Sequence, residues 1–246
     1  MGAVDMKVSL LRYTPAAGEL LAAAGQVCYS ARSIAEIAAG VEGDDAWVER
    51  LIRMGHHSPL EHAVFTFGIE GVSRSLLAQI TRHRIASFSV RSQRYVGEKG
   101  ETQADGVFPY VVPPSVQALG PDYVTEYRAQ MATMQEWYDY WVRVLGGGRA
   151  TYEDARYVLP NAAATSLVVT MNARELRHFF RLRLCLRAQW EIRNLAGRML
   201  ELAREAAGGL FKGAGPACVL GACPEGEMTC GRLAEVRRRY GAGSGA

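Results

Sequence analysis

The feature that most constrains the fold of this chain is a change of hydrophobic period along it. In residues 63–69 apolar and less apolar side chains alternate, which is typical of a β-strand with one buried face. In residues 122–145 the apolar side chains recur at helical spacing, on a stripe formed by Tyr127, Met131, Met134, Tyr138, Trp141 and Leu145. Residues 165–170 give a second strand pattern. The mixture predicts an α/β protein of the α+β type, a single domain whose central, mostly antiparallel sheet is flanked by long helices.

Local signals mark several connections and one helix start. The sequence HHSPLEH (56–62) predicts a polar loop, and the Gly- and Pro-rich residues 96–121 predict an extended connection. Asn172 and Glu175 have the spacing of a capping box, which opens a helix. That helix pattern continues to about residue 205, and we expect a break in it near residues 186–188.

Composition and charge limit the class of protein. The chain has 246 residues, 49% of them hydrophobic and 22% charged, the balance of a globular protein. No run approaches the ~18 apolar residues of a membrane span, and the first residues lack the layout of a signal peptide. We therefore expect a cytoplasmic protein without a membrane partner. The net charge of +3 does not by itself call for nucleic acid.

Arginine dominates the basic residues, since only three of the 28 are lysines. A guanidinium offers a planar fork of donors that matches phosphate or carboxylate, which an ammonium does not. A general bias toward arginine explains most of this abundance. Individual arginines therefore have to be judged by their position.

The segment densest in such groups is RHRIASFSVRSQRY, residues 82–95, with four arginines, a histidine and three serines. So many forked donors and hydroxyls in a non-helical run suit an anionic ligand that carries both a phosphate and a polar ring. A solvated basic loop fits the same composition. So does a patch for single-stranded nucleic acid, with Phe88 and Tyr95 as stacking platforms. Composition alone leaves the three interpretations open.

Neither the His-rich nor the Cys-rich segment completes a metal-binding motif. Residues 56–62 lack the H-E-x-x-H pattern. Cys218, Cys223 and Cys230 follow a C-x4-C-x6-C spacing, without a C-x2-C knuckle and without an evident fourth ligand. Cys185 falls in a helical pattern, where a packing role is expected. We predict no metal and a packed, reduced tail over residues 216–246, with a metal site in that tail as the less favoured alternative.

The pattern R-H-R-x-x-S-x-x-x-x-S-x-R, which begins at Arg82, resembles the signature of the flavin-dependent thymidylate synthases at every fixed position. Four other segments are similar to that family and occur in the same order. They are GHHSPLEHAVFTF, ARYVLP, MNARELRHFF and RAQWEI. The resemblance therefore extends over most of residues 50–195.

The resemblance implies a reaction and its participants. It implies methylation of dUMP to dTMP, with 5,10-methylenetetrahydrofolate as carbon donor and NADPH-reduced FAD as hydride source. The flavin does the redox chemistry, and the protein binds and orients the reactants. Residues 1–215 would form the catalytic domain. Family members are homotetramers with sites shared between subunits, and the same is expected here, without a nucleic-acid partner.

The resemblance also assigns contacts to positions of this chain. The expected dUMP contacts are Gln79, Ile80, Thr81, Arg82, Val90, Arg91, Ser92, Gln93, Arg94, Arg156 and Arg183. The expected FAD contacts are Ser58, Arg82, His83, Arg84, Val90, Asn172, Ala173, Arg174 and His178. The expected catalytic residues are Arg183, which would stabilise negative charge on the uracil imide, and His56, near flavin and folate. Ser92 is expected to position the nucleotide, since the sequence gives it no histidine–carboxylate partner.

Ser89 and Val90 depart from the family pattern, since many members carry Asn and then an acidic residue or Gln there. Contacts at these positions are therefore expected from the backbone. Two other functions stay open at this point. One is an Arg-rich nucleic-acid-binding module, which the near-neutral charge and the lack of a G-x-x-G or RNP-type motif disfavour. The other is a nucleotide-binding relative that has lost catalysis.

Overall fold

The architecture is a four-stranded antiparallel sheet with helices around it, as seen in a computed structural model that describes residues 2–40 and 45–241. The strands are β1 (Lys7–Tyr13), β2 (Val64–Ser73), β3 (Ala86–Val90) and β4 (Ala164–Asn172), in the order β1-β2-β4-β3. The helices are α1 (Ala17–Val27), α2 (Ile34–Ala39), α3 (Asp45–Arg53), α4 (Arg74–Ile80), α5 (Pro114–Ala118), α6 (Pro121–Val144), α7 (Tyr152–Ala155), α8 (Ala173–Arg183), α9 (Trp190–Phe211) and α10 (Leu233–Tyr240). The predicted fold class is confirmed. Along the described ranges, no helix is long and apolar enough to cross a membrane.

Strand β2 confirms the alternation that its sequence predicts. Phe65, Phe67 and Ile69 are buried, and Val64 on the other face is exposed. The strand passes directly into α4 because Ser73 caps that helix, accepting a hydrogen bond from the backbone N–H of Leu76 at 3.0 Å. Such a cap stabilises a helix by about 1 kcal/mol. It fixes where α4 begins, and so where the arginine-rich segment after it begins.

Packing divides the described residues into two compact units. The first unit comprises residues 2–7, 69–82 and 88–168, and the second comprises residues 8–40, 45–68, 83–87 and 169–241. The chain passes between them several times, so neither unit is a continuous piece of sequence. The arginine-rich segment is itself divided, with His83 and Arg84 in the second unit and Arg91 and Arg94 in the first.

The first unit is built around α6. Its core contains Phe108, Tyr110 and Met131, all at most 3% exposed. The predicted stripe on α6 is correct at Met131 and Tyr138 but wrong at Trp141 and Leu145, which are 43% and 44% exposed. The reason is that α6 also buries the amide of Gln135.

The amide of Gln135 satisfies both of its polar ends inside the first unit. Its oxygen accepts a hydrogen bond from the backbone N–H of Phe108 at 2.7 Å, and its nitrogen donates to the backbone carbonyl of Glu98 at 2.8 Å. A buried polar group costs little when both ends are paired. The buried face of α6 is therefore rotated away from the purely apolar stripe.

The second unit is built around α8 and α9. Phe65, Phe180 and Phe211 meet edge to face, with ring centroids 5.1 and 5.9 Å apart. All three are fully buried, and burial of one such side chain stabilises a fold by roughly 1.5–3 kcal/mol. This cluster holds α8 in place, and α8 carries most of the charged residues considered below.

Two local predictions need correction, and a third is confirmed. The loop predicted at residues 56–62 contains a 3-10 helix, Ser58–His62, because Pro59 presets a helical φ and Leu60 is buried. The connection predicted as extended contains α5 and a 3-10 turn at Gly100–Thr102. The break expected near residues 186–188 is confirmed, since the helix opened by Asn172 ends at Arg183 and α9 begins after Gln189, which caps it.

Candidate active site

A buried hydrogen-bond chain in the second unit joins the arginine-rich segment to α8. His83 is 5% exposed, and its Nδ1 lies 2.9 Å from Oε1 of Glu175. Nε of Arg183 donates to Nε2 of His83 at 3.1 Å. Because Nε2 is an acceptor, the imidazole carries its proton on Nδ1 and donates it to the Glu175 carboxylate. The two bonds fix the plane of the ring and one edge of the guanidinium.

Electrostatics keep this histidine neutral. Burial is the main cause that lowers the pKa of His83, and the charge of Arg183 lowers it further. The hydrogen bond to Glu175 acts in the opposite direction. The buried Phe179 ring packs edge-on against the imidazole, with centroids 5.0 Å apart, and keeps water from it. The neutral ring can accept from Arg183, which a protonated ring could not.

The start of α8 explains how Glu175 reaches His83. Oδ1 of Asn172 accepts from the backbone N–H of Glu175 at 2.8 Å, which is the first half of the predicted capping box. The Glu175 carboxylate is directed to His83. Asn172 and Glu175 therefore begin α8, and Glu175 also anchors the buried hydrogen-bond chain to His83.

A cleft of about 730 Å³ in the second unit, named here the α8 cleft, contains three of the predicted FAD contacts. Asn172, the N-cap of α8, lines it together with Arg174 and His178 from the helix itself. Ile52, His57, Leu60, Glu61 and Ile85 line it from other parts of the unit, and so do residues 213–217 and Leu220. Arg174 is ion-paired with Glu61.

The α8 cleft is lined by three arginines, Arg174, Arg177 and Arg181, and by two carboxylates, Glu61 and Glu175. Arg177 is half-buried, and burial together with the charge of Arg204 lowers its pKa to about 10, so it stays charged at neutral pH. Its guanidinium donates to the backbone carbonyl of Leu210 at 2.7 Å and so holds the end of α9. Arg177 therefore has a structural role as well as a place in the cleft wall.

The structure separates the two histidines that begin the 56–62 segment. His57 lines the α8 cleft, with Nε2 at 3.3 Å from the carbonyl of Ile52. His56 lines a different pocket of about 500 Å³ and meets the ring of Tyr29 edge-on at 6.4 Å. Ser58 begins the 3-10 helix. The neighbouring His57 and Glu61 were not predicted as site residues, although they lie in the same motif.

The first unit holds a pocket of about 420 Å³, named here the Arg94 pocket, lined by Arg94, Tyr95, Arg149, Ala150 and Glu153. Nε of Arg94 donates to Oε2 of Glu153 at 2.8 Å, and the guanidinium of Arg149 lies 4.5 Å from the centre of the Tyr95 ring. Nε of Arg156 donates to the backbone carbonyl of Glu153 at 3.0 Å. Two predicted dUMP contacts, Arg94 and Arg156, therefore converge on one residue.

Arg149 was not predicted. The glycines at 146–148 precede it, and all three have positive φ, so they form the turn that presents it. This turn is a signal in the sequence that could have pointed to Arg149.

The turn after β3 is held mainly by its backbone. The N–H of Arg91 donates to the carbonyl of Ser166 at 2.9 Å, and Arg74 donates to the carbonyl of Arg91 at 3.1 Å. Oγ of Ser92 accepts from the N–H of Arg94 at 3.2 Å. The side chain of Gln93 is buried, and its Nε2 has no hydrogen-bond partner among the residues that the structure describes. The Ser92 hydroxyl is thus oriented by a backbone hydrogen bond.

The remaining predicted contacts divide by exposure. The side chains of Ile80 and Ala173 are buried, so only their backbone could touch a ligand. Thr81, Arg82 and Arg84 are exposed, while Gln79 and Val90 are half-buried. Among these, the Thr81 hydroxyl donates to the carbonyl of Leu77 at 2.9 Å.

Comparison with known proteins places the chain in a family. A family model described as thymidylate synthase complementing protein matches residues 9–207. The flavin-dependent thymidylate synthase of Geobacter sulfurreducens is 49% identical over 96% of this chain and 98% of its own length. That of Clostridium tetani is 42% identical with the same coverage. This chain belongs to the family of flavin-dependent thymidylate synthases.

Solved structures support the same fold. A Helicobacter pylori flavin-dependent thymidylate synthase complexed with FAD and dUMP matches with a TM-score of 0.64 and 24% identity, covering 85% of this chain and 99% of that one. The UMP/dUMP methylase PolB of Streptomyces cacaoi, bound with 5-Br dUMP, matches with a TM-score of 0.68 and 22% identity, covering 84% and 93%. The likeness therefore extends over most of each chain.

Proposed function

We propose that this protein converts dUMP to dTMP by reductive methylation, with 5,10-methylenetetrahydrofolate as carbon donor and NADPH-reduced FAD as hydride source. Membership of the family supports this activity over the Arg-rich nucleic-acid module. The observation that carries the proposal is the fixed guanidinium of Arg183, held by a neutral, buried histidine. Such a group can act on a substrate that becomes negatively charged.

Arg183 is proposed to activate the uracil ring. Its guanidinium keeps its charge at neutral pH, so it cannot accept a proton, but it can stabilise negative charge that develops on the imide. Because His83 accepts a hydrogen bond from Nε of Arg183, this edge of the guanidinium is already oriented before the substrate binds. One oxyanion-stabilising donor contributes about 2.7–4 kcal/mol to catalysis in other enzymes.

The α8 cleft is the proposed FAD site. Its volume lies within the roughly 300–1,000 Å³ of small-molecule sites, and Arg174, Arg177 and Arg181 suit a diphosphate. Bound FAD would supply the hydride. Asn172, Arg174 and His178 would hold it, and the other proposed contacts are Ser58, Arg82, His83, Arg84, Val90 and Ala173. The role of His56 near flavin and folate stays a prediction.

The Arg94 pocket is proposed to bind the phosphate end of dUMP. Arg94 is half exposed beside Glu153, so a phosphate could replace this carboxylate as its partner. The guanidinium of Arg156 would donate a second set of hydrogen bonds to the phosphate. Gln79, Ile80, Thr81, Arg82, Val90, Arg91, Ser92 and Gln93 complete the proposed contacts. We further propose that the protein assembles as a cytoplasmic homotetramer with sites shared between subunits.

The function is tested with the purified protein. We expect a yellow protein whose flavin is bleached by NADPH faster when dUMP is present. Addition of methylenetetrahydrofolate should then yield dTMP, measured by chromatography. A colourless protein that cannot be reconstituted with FAD would overturn the proposal. Light scattering tests the assembly, and a fully active monomer would contradict the tetramer.

A further inference from the structure

The backbone and the guanidinium of Arg74 connect three segments of the first unit. Its backbone N–H donates to the carbonyl of Ala163 at 3.0 Å, so the start of α4 lies against the residues that precede β4. The N–H of Ser75 adds a bond to the carbonyl of Asn161 at 3.2 Å. Nη2 of Arg74 donates to the carbonyl of Arg91 at 3.1 Å, in the turn after β3. Arg74 therefore ties the turn after β3 and the residues before β4 to the start of one helix.

The two segments tied to Arg74 carry the arginines that are proposed to bind the dUMP phosphate. Arg94 lies in the turn that follows Arg91, and its N–H donates to Oγ of Ser92 at 3.2 Å. Arg156 lies in the connection between α7 and β4. Because the turn is short and bonded within itself, a shift of the Arg91 carbonyl would displace the backbone that presents Arg94. The side chain of Arg74 thus sets the placement of Arg94.

Charged neighbours act on the Arg74 guanidinium in this position. Burial is the main cause that lowers the pKa of Arg74, the Glu98 carboxylate opposes this effect, and the charge of Arg156 adds to it. A guanidinium keeps its charge in such surroundings. Glu98 is 7% exposed, and its backbone N–H donates to the hydroxyl of Tyr138 on α6 at 3.1 Å. A carboxylate that α6 holds in place therefore counterbalances the charge of Arg74.

Arg74 and the turn after β3 each contain a buried donor group that has no hydrogen-bond partner among the residues that the structure describes. These groups are Nε of Arg74 and Nε2 of Gln93, whose side chain is 9% exposed. A buried donor without a partner costs about 1–3 kcal/mol, so native proteins keep few of them. The oxygens of a nucleotide are acceptors that can satisfy such donors. The turn is therefore suited to an acceptor-rich ligand.

We propose that Arg74 is a positioning residue for nucleotide binding, which acts through the carbonyl of Arg91 to hold the turn that presents Arg94 to the phosphate. This inference rests on the proposed dUMP site and adds a residue to it. The bonds of Arg74 are internal to the protein and need no ligand. The entropy of ordering the turn is therefore lost on folding and not on binding, which favours tight binding of dUMP. The side chain of Arg94 can still exchange Glu153 for the phosphate.

Steady-state kinetics of the FAD-loaded protein test this role. Arg74→Gln removes the charged donor to the Arg91 carbonyl, so the KM for dUMP should rise roughly tenfold or more. The value of kcat and the KM for methylenetetrahydrofolate should change by less than about threefold. Arg128→Gln, which removes an exposed arginine from the same unit, should keep the wild-type values. An unchanged KM for dUMP in Arg74→Gln, or an equal rise in both KM values, would overturn the proposal.

Arg74→Lys decides the question if Arg74→Gln does not fold. Lysine retains the positive charge that Glu98 counterbalances, but it offers one point donor in place of a planar guanidinium. We expect a folded protein whose KM for dUMP rises roughly threefold or more. A wild-type KM for dUMP in this variant would show that the guanidinium of Arg74 does not position the turn.

A double-mutant cycle shows whether Arg74 acts through Arg94, which a merely structural role would not require. In an Arg94→Ala background the residue to be positioned is absent. Either Arg74 variant should then raise the KM for dUMP by less than about twofold. Effects of the two substitutions that multiply would mean that Arg74 acts elsewhere, and would contradict the proposal.

Titration calorimetry with dUMP separates this inference from the proposed function. We expect Arg74→Lys to bind dUMP more weakly than the wild type while it retains the same amount of FAD. A wild-type protein that neither binds dUMP nor forms dTMP contradicts the proposed function, and the role of Arg74 falls with it. A wild-type protein that binds dUMP, together with an Arg74→Lys variant that binds it equally tightly, overturns the positioning role alone.

Discussion

The two proposed ligand-binding regions differ in how firmly the protein holds its arginines. In the second unit, Arg183 is bonded to His83, which is itself buried and bonded to Glu175. In the first unit, Arg94 pairs with Glu153, and their side chains are 51% and 47% exposed. Exposed ion pairs contribute about 0–1 kcal/mol, because water screens them. The comparison suggests that Arg183 is oriented in advance for catalysis, while Arg94 can exchange partners on binding.

The largest effect is expected from Arg183→Ala. Because this change removes the guanidinium proposed to stabilise the uracil charge, kcat should fall by roughly 10²–10³ or more. Ser92→Ala removes only a positioning hydroxyl and should keep measurable activity. Steady-state dTMP formation measures both, with the exposed Arg238→Ala as control. Equal and complete loss in both variants would count against the assignment.

The next effect is expected from His83, whose removal leaves Glu175 buried without this donor. His83→Ala should reduce the free energy of unfolding by about 1–3 kcal/mol, measured in urea. His83→Gln, whose amide can donate and accept at similar positions, should recover part of this loss. A His83→Ala protein as stable as the wild type would show that the buried chain contributes nothing.

The same histidine gives a pH dependence with a defined sign. The folded-state pKa of His83 is lowered, so the unfolded chain takes up its proton first as the pH falls. The stability from neutral His83 is therefore complete above about pH 6.5 and declines below it, through the lowered folded-state pKa. Urea unfolding between neutral and acidic pH measures this loss, and His83→Gln should flatten that part of the profile. An unaltered profile in His83→Gln would assign the pH dependence to other groups.

The smallest effect on stability is expected from Arg94→Ala. Loss of the exposed pair with Glu153 should change the free energy of unfolding by less than about 1 kcal/mol. The KM for dUMP should rise clearly, since a phosphate contact is removed. Arg128→Ala, an exposed arginine on α6, is the matched control. A large loss of stability with an unchanged KM would reverse the contrast between the two regions.

Local periodicity predicted the elements well where burial follows the sequence pattern. The alternation in β2 and the cap at Asn172 need only neighbouring residues, so they could be identified from the sequence. The exposure of Trp141 and the 3-10 helix Ser58–His62 depend on what packs against them. The predictions for Trp141 and for the loop at residues 56–62 were wrong for this reason.

The sequence by itself determined the family, because its motifs occur in order along the chain, and it determined the strands and helices that carry them. Only the tertiary structure decided which side chains meet. His83 lies 92 residues from Glu175 and 100 residues from Arg183 along the chain. Such contacts arise from strand order and helix packing, which local sequence patterns do not encode. For that reason the buried support of Arg183 became visible only in the folded chain.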